Sequence, residues 1–216
     1  IEFWTQSKGY DIVKPLSDEI DKSITYVNEE FGLHFEFNPT SFTQINPFVN
    51  QVLIRKAMQL LNPQPEELII DFFCGLGNFT LPIASYGTKV IGIEGDAILV
   101  KSANINAKKN KLDHLAIFKE MDLFKISEDQ LSKLGNASKW VIDPPRDGAL
   151  NLINAINKSN RPNIICYISC NPASLARDAS ILTNEKGYRF AKAGILNMFP
   201  HTSHVESMAL FEINES

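Results

Sequence analysis

From Leu68 onward, short apolar runs rich in β-branched residues alternate with segments whose apolar positions recur every three or four residues. That alternation predicts strands over 68–72, 89–93, 115–119, 140–142 and 163–169. Helices are predicted over 78–84, 96–109, 128–134, 149–157 and 172–183. The strands are apolar on both faces and separated by helical crossovers, which predicts an open, mostly parallel, doubly wound α/β sheet. After Gly187 two further extended runs, 190–198 and 205–213, follow with no helix between them; they predict an antiparallel hairpin at one sheet edge. Pro47 and Pro63 bracket another helix, with Val49, Val52, Leu53, Ala57, Leu60 and Leu61 on one face. Up to about Ser41 the texture is different: 24–27 and 33–37 read as short alternating strands around a Glu29-Glu30-Gly32 turn. No internal repeat or low-complexity tract is present.

Composition narrows the class. With 216 residues, 44% hydrophobic and 21% charged, the chain has material for a real core and is not a disordered segment. Its net charge of −4 removes the chain-wide basic footprint of a nucleic-acid binder. Three cysteines, Cys74, Cys166 and Cys170, are too few for a disulfide framework. Cys166 and Cys170 lie about 13 Å apart along one strand, beyond disulfide reach. A reducing cytoplasm fits them. No apolar run is long enough to span a bilayer, so no membrane association is expected. The first residues are Ile1-Glu2-Phe3-Trp4 rather than Met, which reads as a chain cut from something longer.

The chemistry gathers at strand ends. The first strand of the sheet runs into Asp71-Phe72-Phe73-Cys74-Gly75-Leu76-Gly77-Asn78, where glycines let a ligand approach the backbone. The second ends at Glu94, spaced to accept hydrogen bonds from a ribose diol. The glycine spacing does not suit a pyrophosphate and no P-loop lysine follows. The better match is a phosphate-free nucleoside, of which S-adenosylmethionine is the common one. The fourth strand ends in Asp143-Pro144-Pro145-Arg146-Asp147-Gly148, two prolines stiffening the place where a sheet opens to its crevice. Amino-methyltransferases carry a similar tetrapeptide ending in an aromatic; here the fourth position is Arg146.

Cys170 stands at the end of the fifth strand, just before a helix announced by Asn171 and Pro172. A helix N-terminus favours a thiolate, so Cys170 is expected to be nucleophilic, while Cys74 and Cys166 read as packing residues. Glu206 opens an otherwise apolar strand and reads as a general base. His201 and His204 lack a zinc-binding pattern; no metal is expected, and they read as orienting or substrate-contacting groups. Phe73 or Phe199 could stack on a base. Lys108, Lys109, Lys111, Arg146, Arg161 and Arg177 are candidate phosphate contacts, with a solvated face the blander account of the lysines.

Taken together, FTQIN (42–46), DFFCGLGNFTLPIA (71–84), DPPRDGA (143–149), ISCNPASLARD (168–178) and FPHTSHVESM (199–208) resemble the RNA uracil-5-methyltransferases over about four-fifths of the chain. The likeness is greatest to bacterial enzymes acting on a uridine of 23S ribosomal RNA, with transfer RNA enzymes close by. It implies a Rossmann-like class I S-adenosylmethionine-dependent methyltransferase domain over 42–216, after a remnant of a central β-rich domain over 1–41. It further implies Cys170 as nucleophile and Glu206 as base. Gln44, Phe73, Gly75, Asn78, Glu94, Asp122 and Asp143 would be cofactor-binding. Asn197 departs from the Asp usual there. Relatives carry an oligonucleotide-binding domain upstream, and the ribosomal enzymes an iron–sulfur cluster on upstream cysteines, so any cluster would belong to that part. RNA is the expected partner, no obligate protein partner is implied, and this segment alone would bind RNA weakly because phosphate affinity lies upstream. Two rivals stay open: an amino-methyltransferase, which needs no thiol, and a non-catalytic module binding S-adenosylmethionine or RNA.

Overall fold

A computed structural model describes residues 4–5, 14–15, 24–38, 41, 43–44 and 46–214. Two short strands, β1 (Trp4–Thr5) and β2 (Lys14–Pro15), pair antiparallel. A hairpin, β3 (Ile24–Asn28) and β4 (Leu33–Phe37), precedes the helix α1 (Pro47–Leu61). Then come β5 (Leu68–Phe72), α2 (Thr80–Ala84), β6 (Lys89–Glu94), α3 (Ala97–Lys109), β7 (Ala116–Glu120), α4 (Glu128–Ser132), β8 (Lys139–Ile142), α5 (Leu150–Asn154), β9 (Ile164–Ser169), α6 (Pro172–Asn184), β10 (Tyr188–Leu196) and β11 (Glu206–Ile213). The seven-stranded sheet has the order β10-β11-β9-β8-β5-β6-β7. Strands β5 to β9 run parallel, and β11 enters antiparallel beside β9 with β10 outside it, as the two terminal runs predict.

One core, holding α1, α2, α3 and the β3–β4 hairpin, covers one face of the sheet; a second, holding α4, α5 and α6, covers the other. The chain winds outward from β5 through β6 to β7, then returns to β8 and winds the opposite way. That reversal opens a crevice at the carboxyl ends of β5 and β8.

Local chemistry accounts for the helix limits. Asn46 caps α1 by accepting the Val49 N–H at 3.2 Å, Pro47 takes the first turn, and Asn62 closes it at φ 45° before Pro63. The buried stripe of α1 is Asn50, Leu53, Ile54, Ala57, Met58 and Leu61, so Val52, expected inside, faces outward at 38% exposure. Val52 lies one residue off the 50–53–54–57 ridge, about 100° around the helix. Helices α2, α4 and α5 are shorter than their sequence patterns suggest, because glycine-rich or polar turns consume the flanking residues.

The hairpin is fastened to α3 by two asparagines one turn apart. The Oδ1 of the wholly buried Asn106 accepts the Glu36 N–H at 2.8 Å and its Nδ2 donates to the Glu36 carbonyl at 3.2 Å. Asn110 does the same for His34, at 2.8 and 2.7 Å. The amides thus serve β4 as a neighbouring strand would, while Leu33 and Phe35 enter the core. Replacing Asn106 with Ala leaves the Glu36 N–H and carbonyl unpartnered, and we expect a loss of about 1–3 kcal/mol. Thermal unfolding should show Tm lower by roughly 2–10 °C; an unchanged Tm would mean that the amide bonds contribute nothing.

Candidate active site

Strand parity decides which side chains meet. Ile69, Val90, Val141, Cys166, Met208 and Leu210 all face the α1–α3 core. Stepping by two toward the crevice puts Asp71, Glu94, Asp143, Cys170 and Glu206 on that same face. In the β11–β9 ladder Ser207 pairs with Ser169. The ladder ends at that pair, and the next residues outward are Glu206 and Cys170, near enough that the Glu206 carboxylate raises the Cys170 thiol. Asp143 continues the ladder beside them, its N–H donating to the Phe72 carbonyl at 3.3 Å. Nucleophile candidate, base candidate and a second carboxylate therefore share one corner.

The corner is acidic and partly enclosed, with Glu206 buried and Asp143 and Cys170 half-buried. Glu206 is 2% exposed, and burial, then Asp143, pushes its carboxyl up to about 8. Burial alone raises Asp143 to about 7. Asp71, wholly buried at the floor, is raised by burial to about 8 against the opposing hydrogen bond that the Thr80 hydroxyl donates at 2.5 Å; its Oδ1 has no partner. Burial thus favours the protonated form of each of these carboxyls, and a cation beside them would favour the charged form.

Cys170 is half-buried, whereas Cys74 and Cys166 are buried, and burial drives both buried thiols up, Cys166 to about 12. The expectation that a helix end favours the Cys170 thiolate is corrected here. Burial first, then Glu206 and Asp143, raises that thiol; a hydrogen bond to its own backbone and Arg146 only oppose the rise. The helix does begin as read, with Asn171 accepting the Ala173 N–H at 3.1 Å, but Cys170 precedes that cap.

At the glycine loop, Glu94 accepts the Gly75 N–H at 3.0 Å, the Gly95 N–H at 2.7 Å and the Asp96 N–H at 3.1 Å, linking the ends of β5 and β6. Gly75 sits at φ +53°, and a Cβ built on it meets nothing within 4 Å among the described residues, leaving space a ligand can fill. Phe73 holds φ 62°, a strained value for a bulky residue, and its ring lies 5.8 Å from that of Phe124. Asn78 exchanges amide hydrogen bonds with Asn50, at 2.9 and 3.1 Å. Gln44 lines a cavity of about 190 Å³ with Tyr26, Asn28, Phe37, Asn50 and Gln51. Phe42 and Ile45, of the same sequence motif, lie outside the described residues, as does most of 1–23.

Other expected residues fall differently. Asp122 is exposed at the end of β7, accepts the Phe124 N–H at 3.0 Å and pairs with Lys125 at 3.1 Å; the Lys125 hydrogen bond holds its carboxyl below the usual range. Lys109 pairs with Glu36 at 3.3 Å, and Arg177 is engaged with Asp178, so neither is a free phosphate contact. His201, His204 and Asn197 are exposed, His204 edge-on to Phe199. Among the described residues no three His, Cys, Asp or Glu side chains are placed to hold a metal ion. No described helix is long and apolar enough to cross a membrane. Asp71, Thr80, Tyr167 and Asp178 were not singled out by sequence reasoning. An aspartate inside an apolar strand was the one signal that could have marked Asp71.

The crevice, with acids and amides around a glycine turn, suits a cationic, hydroxyl-bearing ligand. The chain is 51% identical over 213 residues to a 23S rRNA (uracil(1939)-C(5))-methyltransferase of Dechloromonas aromatica and 50% identical over 212 residues to that of an Azoarcus species; the matches cover 99% and 98% of this chain. It spans about half the length of these curated relatives, 49% in each case. Among solved structures it matches the Pyrococcus abyssi tRNA (uracil-54, C5)-methyltransferase in complex with S-adenosyl-L-homocysteine. There the TM-score is 0.75 at 30% identity, over 88% of this chain and 44% of that one. The sheet is accordingly that of the class I methyltransferases. The family model described as tRNA (Uracil-5-)-methyltransferase matches residues 5–214, so the chain belongs to that family.

Proposed function

We propose that this chain is the catalytic part of an S-adenosylmethionine-dependent enzyme that methylates C5 of a uridine in 23S ribosomal RNA. The observation that carries the reading is the convergence of Cys170, Glu206 and Asp143 at the strand ends, where the last β11–β9 pair, Ser207–Ser169, leaves Glu206 and Cys170 as the next residues and both carboxyls raise the thiol. Identity of about 50% to 23S rRNA enzymes, against 30% to a transfer RNA enzyme, favours the ribosomal substrate.

The residues present fit the cofactor. Glu94, at the end of β6, would accept from a ribose diol, Gly75 leaves room above the turn, and Asp143 would face the cationic sulfur. Gln44, Phe73, Asn78 and Asp122 are cofactor contacts only by the resemblance: Phe73 and Asn78 flank the glycine turn after β5, Asp122 follows β7, and Gln44 lines a cavity beside the β3–β4 hairpin. When bound, S-adenosylmethionine supplies an electrophilic methyl group. The rest falls to this chain and its substrate. Uracil C5 is a poor nucleophile, so Cys170, its thiol proton released to solvent, adds as the thiolate to C6, and the π electron pair of the C5–C6 bond moves into an enolate whose reactive carbon is C5. Once C5 carries the methyl group, Glu206 removes its proton, the pair re-forms the double bond, and the Cys170 sulfur leaves from C6. Covalent catalysis divides one hard step into easier ones. The target base must leave its stack to reach this corner, at a cost of a few kcal/mol.

Ribosomal RNA fragments carrying 5-fluorouridine test the reading. Fluorine cannot leave C5 as a proton does, so we expect the full-length protein to be trapped, in the presence of cofactor, as an RNA adduct through Cys170. Absence of any adduct would overturn the proposal, and an adduct with transfer RNA alone would move the substrate.

A further inference from the structure

The loop over residues 143–149 is tied to α6 at several points, none of which the proposed chemistry uses. The Asn171 Nδ2 donates to the Arg146 carbonyl at 2.9 Å. The Arg177 Nη2 donates to the Asp147 carbonyl at 2.8 Å, and its Nε donates to Asp178 Oδ1 at 2.8 Å. The other oxygen of Asp178 accepts the Ala149 N–H at 2.8 Å and the Tyr167 hydroxyl at 2.6 Å. Gly148 lies over this network at φ +78°, where a Cβ would come within 2.6 Å of Arg177 Nη2 and 2.8 Å of Asp178 Oδ2. Only a glycine lets the loop approach so closely. Asp178 and Tyr167 are both wholly buried.

A buried carboxylate with this many partners is an expensive way to hold a loop that apolar packing could hold; what such a network adds is one defined arrangement. The loop it holds begins at Asp143 and carries Arg146, the residues that push the Cys170 thiol in opposite directions. The helix it holds starts two residues after Cys170. We propose that Asp178, with Arg177 and Tyr167, forms a positioning network that sets Asp143 and Arg146 against Cys170. The network acts through the loop, and it rests on the uracil-C5 reading above.

The test uses full-length protein and compares Tyr167→Phe, Asp178→Asn, Arg177→Lys and Arg177→Ala with the unsubstituted enzyme. Small misplacements of reacting groups cost up to about 100-fold in rate. We therefore expect kcat to fall roughly 10–100-fold in Tyr167→Phe and Asp178→Asn, with slower capture of 5-fluorouridine RNA. The KM for RNA should stay within about threefold, since uniform binding is untouched. Arg177→Lys, which keeps one donor, should retain more activity than Arg177→Ala. Tyr167→Phe, the mildest change, keeps the comparison valid should Asp178→Asn fold poorly. A raised KM with weaker salt dependence at unchanged kcat would make Arg177 a phosphate contact and overturn the proposal. A lowered Tm with unchanged kcat and capture rate would leave only a structural role and overturn it equally. Should the unsubstituted protein capture no RNA, the uracil-C5 reading fails on its own. The network is then judged by iodoacetamide alkylation of Cys170, the one thiol of this chain that is not buried. An unchanged alkylation rate across the variants would overturn it.

Discussion

Cys170→Ala is expected to reduce methyl transfer by about 10⁴-fold or more, the scale on which removal of a covalent nucleophile acts. It should also abolish capture of 5-fluorouridine RNA. The fold should survive, because Cys170 is only half-buried and lies between a strand end and a helix cap rather than in the core. Binding of S-adenosylmethionine, measured by calorimetry, should change by less than about threefold, since a change confined to the chemical step lowers kcat and not ground-state binding. Cys166→Ala supplies the contrast. That side chain is wholly buried, so its loss should lower stability by about 1–2 kcal/mol through the cavity it leaves while preserving capture per folded molecule. If Cys170→Ala retained more than about a tenth of the activity, no thiol adduct could lie on the path. An amino-methyltransferase chemistry at the Asp143-Pro144-Pro145 loop would then be the better reading.

Much of this was legible in the chain because the deciding signals are local. Runs of β-branched residues between helical segments gave the sheet, and the absence of a helix after Gly187 gave the antiparallel hairpin. Pro172 and Asn171 marked the start of α6, and hence the strand end on which Cys170 stands. What was not legible depends on contacts distant in sequence. The α1 stripe turns on which neighbour covers it, so Val52 was misplaced and Ile54 and Met58 went unremarked. The pinning of β4 by Asn106 and Asn110 spans 70 and 76 residues. Asp178 went unremarked because its partners, Tyr167 and Ala149, lie 11 and 29 residues away. The Cys170 thiol was misjudged for the same reason: the helix end is local and visible, whereas the burial that raises it, and then Glu206 and Asp143, come from strands distant in sequence.

Glu206→Gln should leave the first half of the reaction running and block the second. Glutamine matches the glutamate in size but accepts no proton, so C5 keeps both its hydrogen and the new methyl group and sulfur cannot leave C6. With cofactor and unmodified RNA, a covalent protein–RNA species should accumulate to a burst of about one per site, while turnover falls about 10²–10⁴-fold, the usual worth of a general base. The pH dependence follows from the carboxyl being raised to about 8. At pH 7 only about one molecule in ten holds Glu206 charged, so turnover by the unsubstituted enzyme should rise from pH 6.5 toward a plateau above about 8.5. The stability linkage has the opposite sign. A carboxyl raised above its ordinary value contributes stability that is complete below about 4.5 and is lost as pH climbs through about 8, at roughly 1.4 kcal/mol per unit. Glutamine carries no such charge. The Tm of Glu206→Gln should therefore match that of the unsubstituted protein near pH 4, exceed it increasingly up to about pH 8, and level off above that. An inactivating substitution that stabilises is the mark of a charge held for chemistry rather than for folding. Turnover within tenfold of normal with no accumulated adduct would remove Glu206 from the mechanism, and a Tm difference independent of pH would refute the buried, proton-holding carboxyl on which it rests.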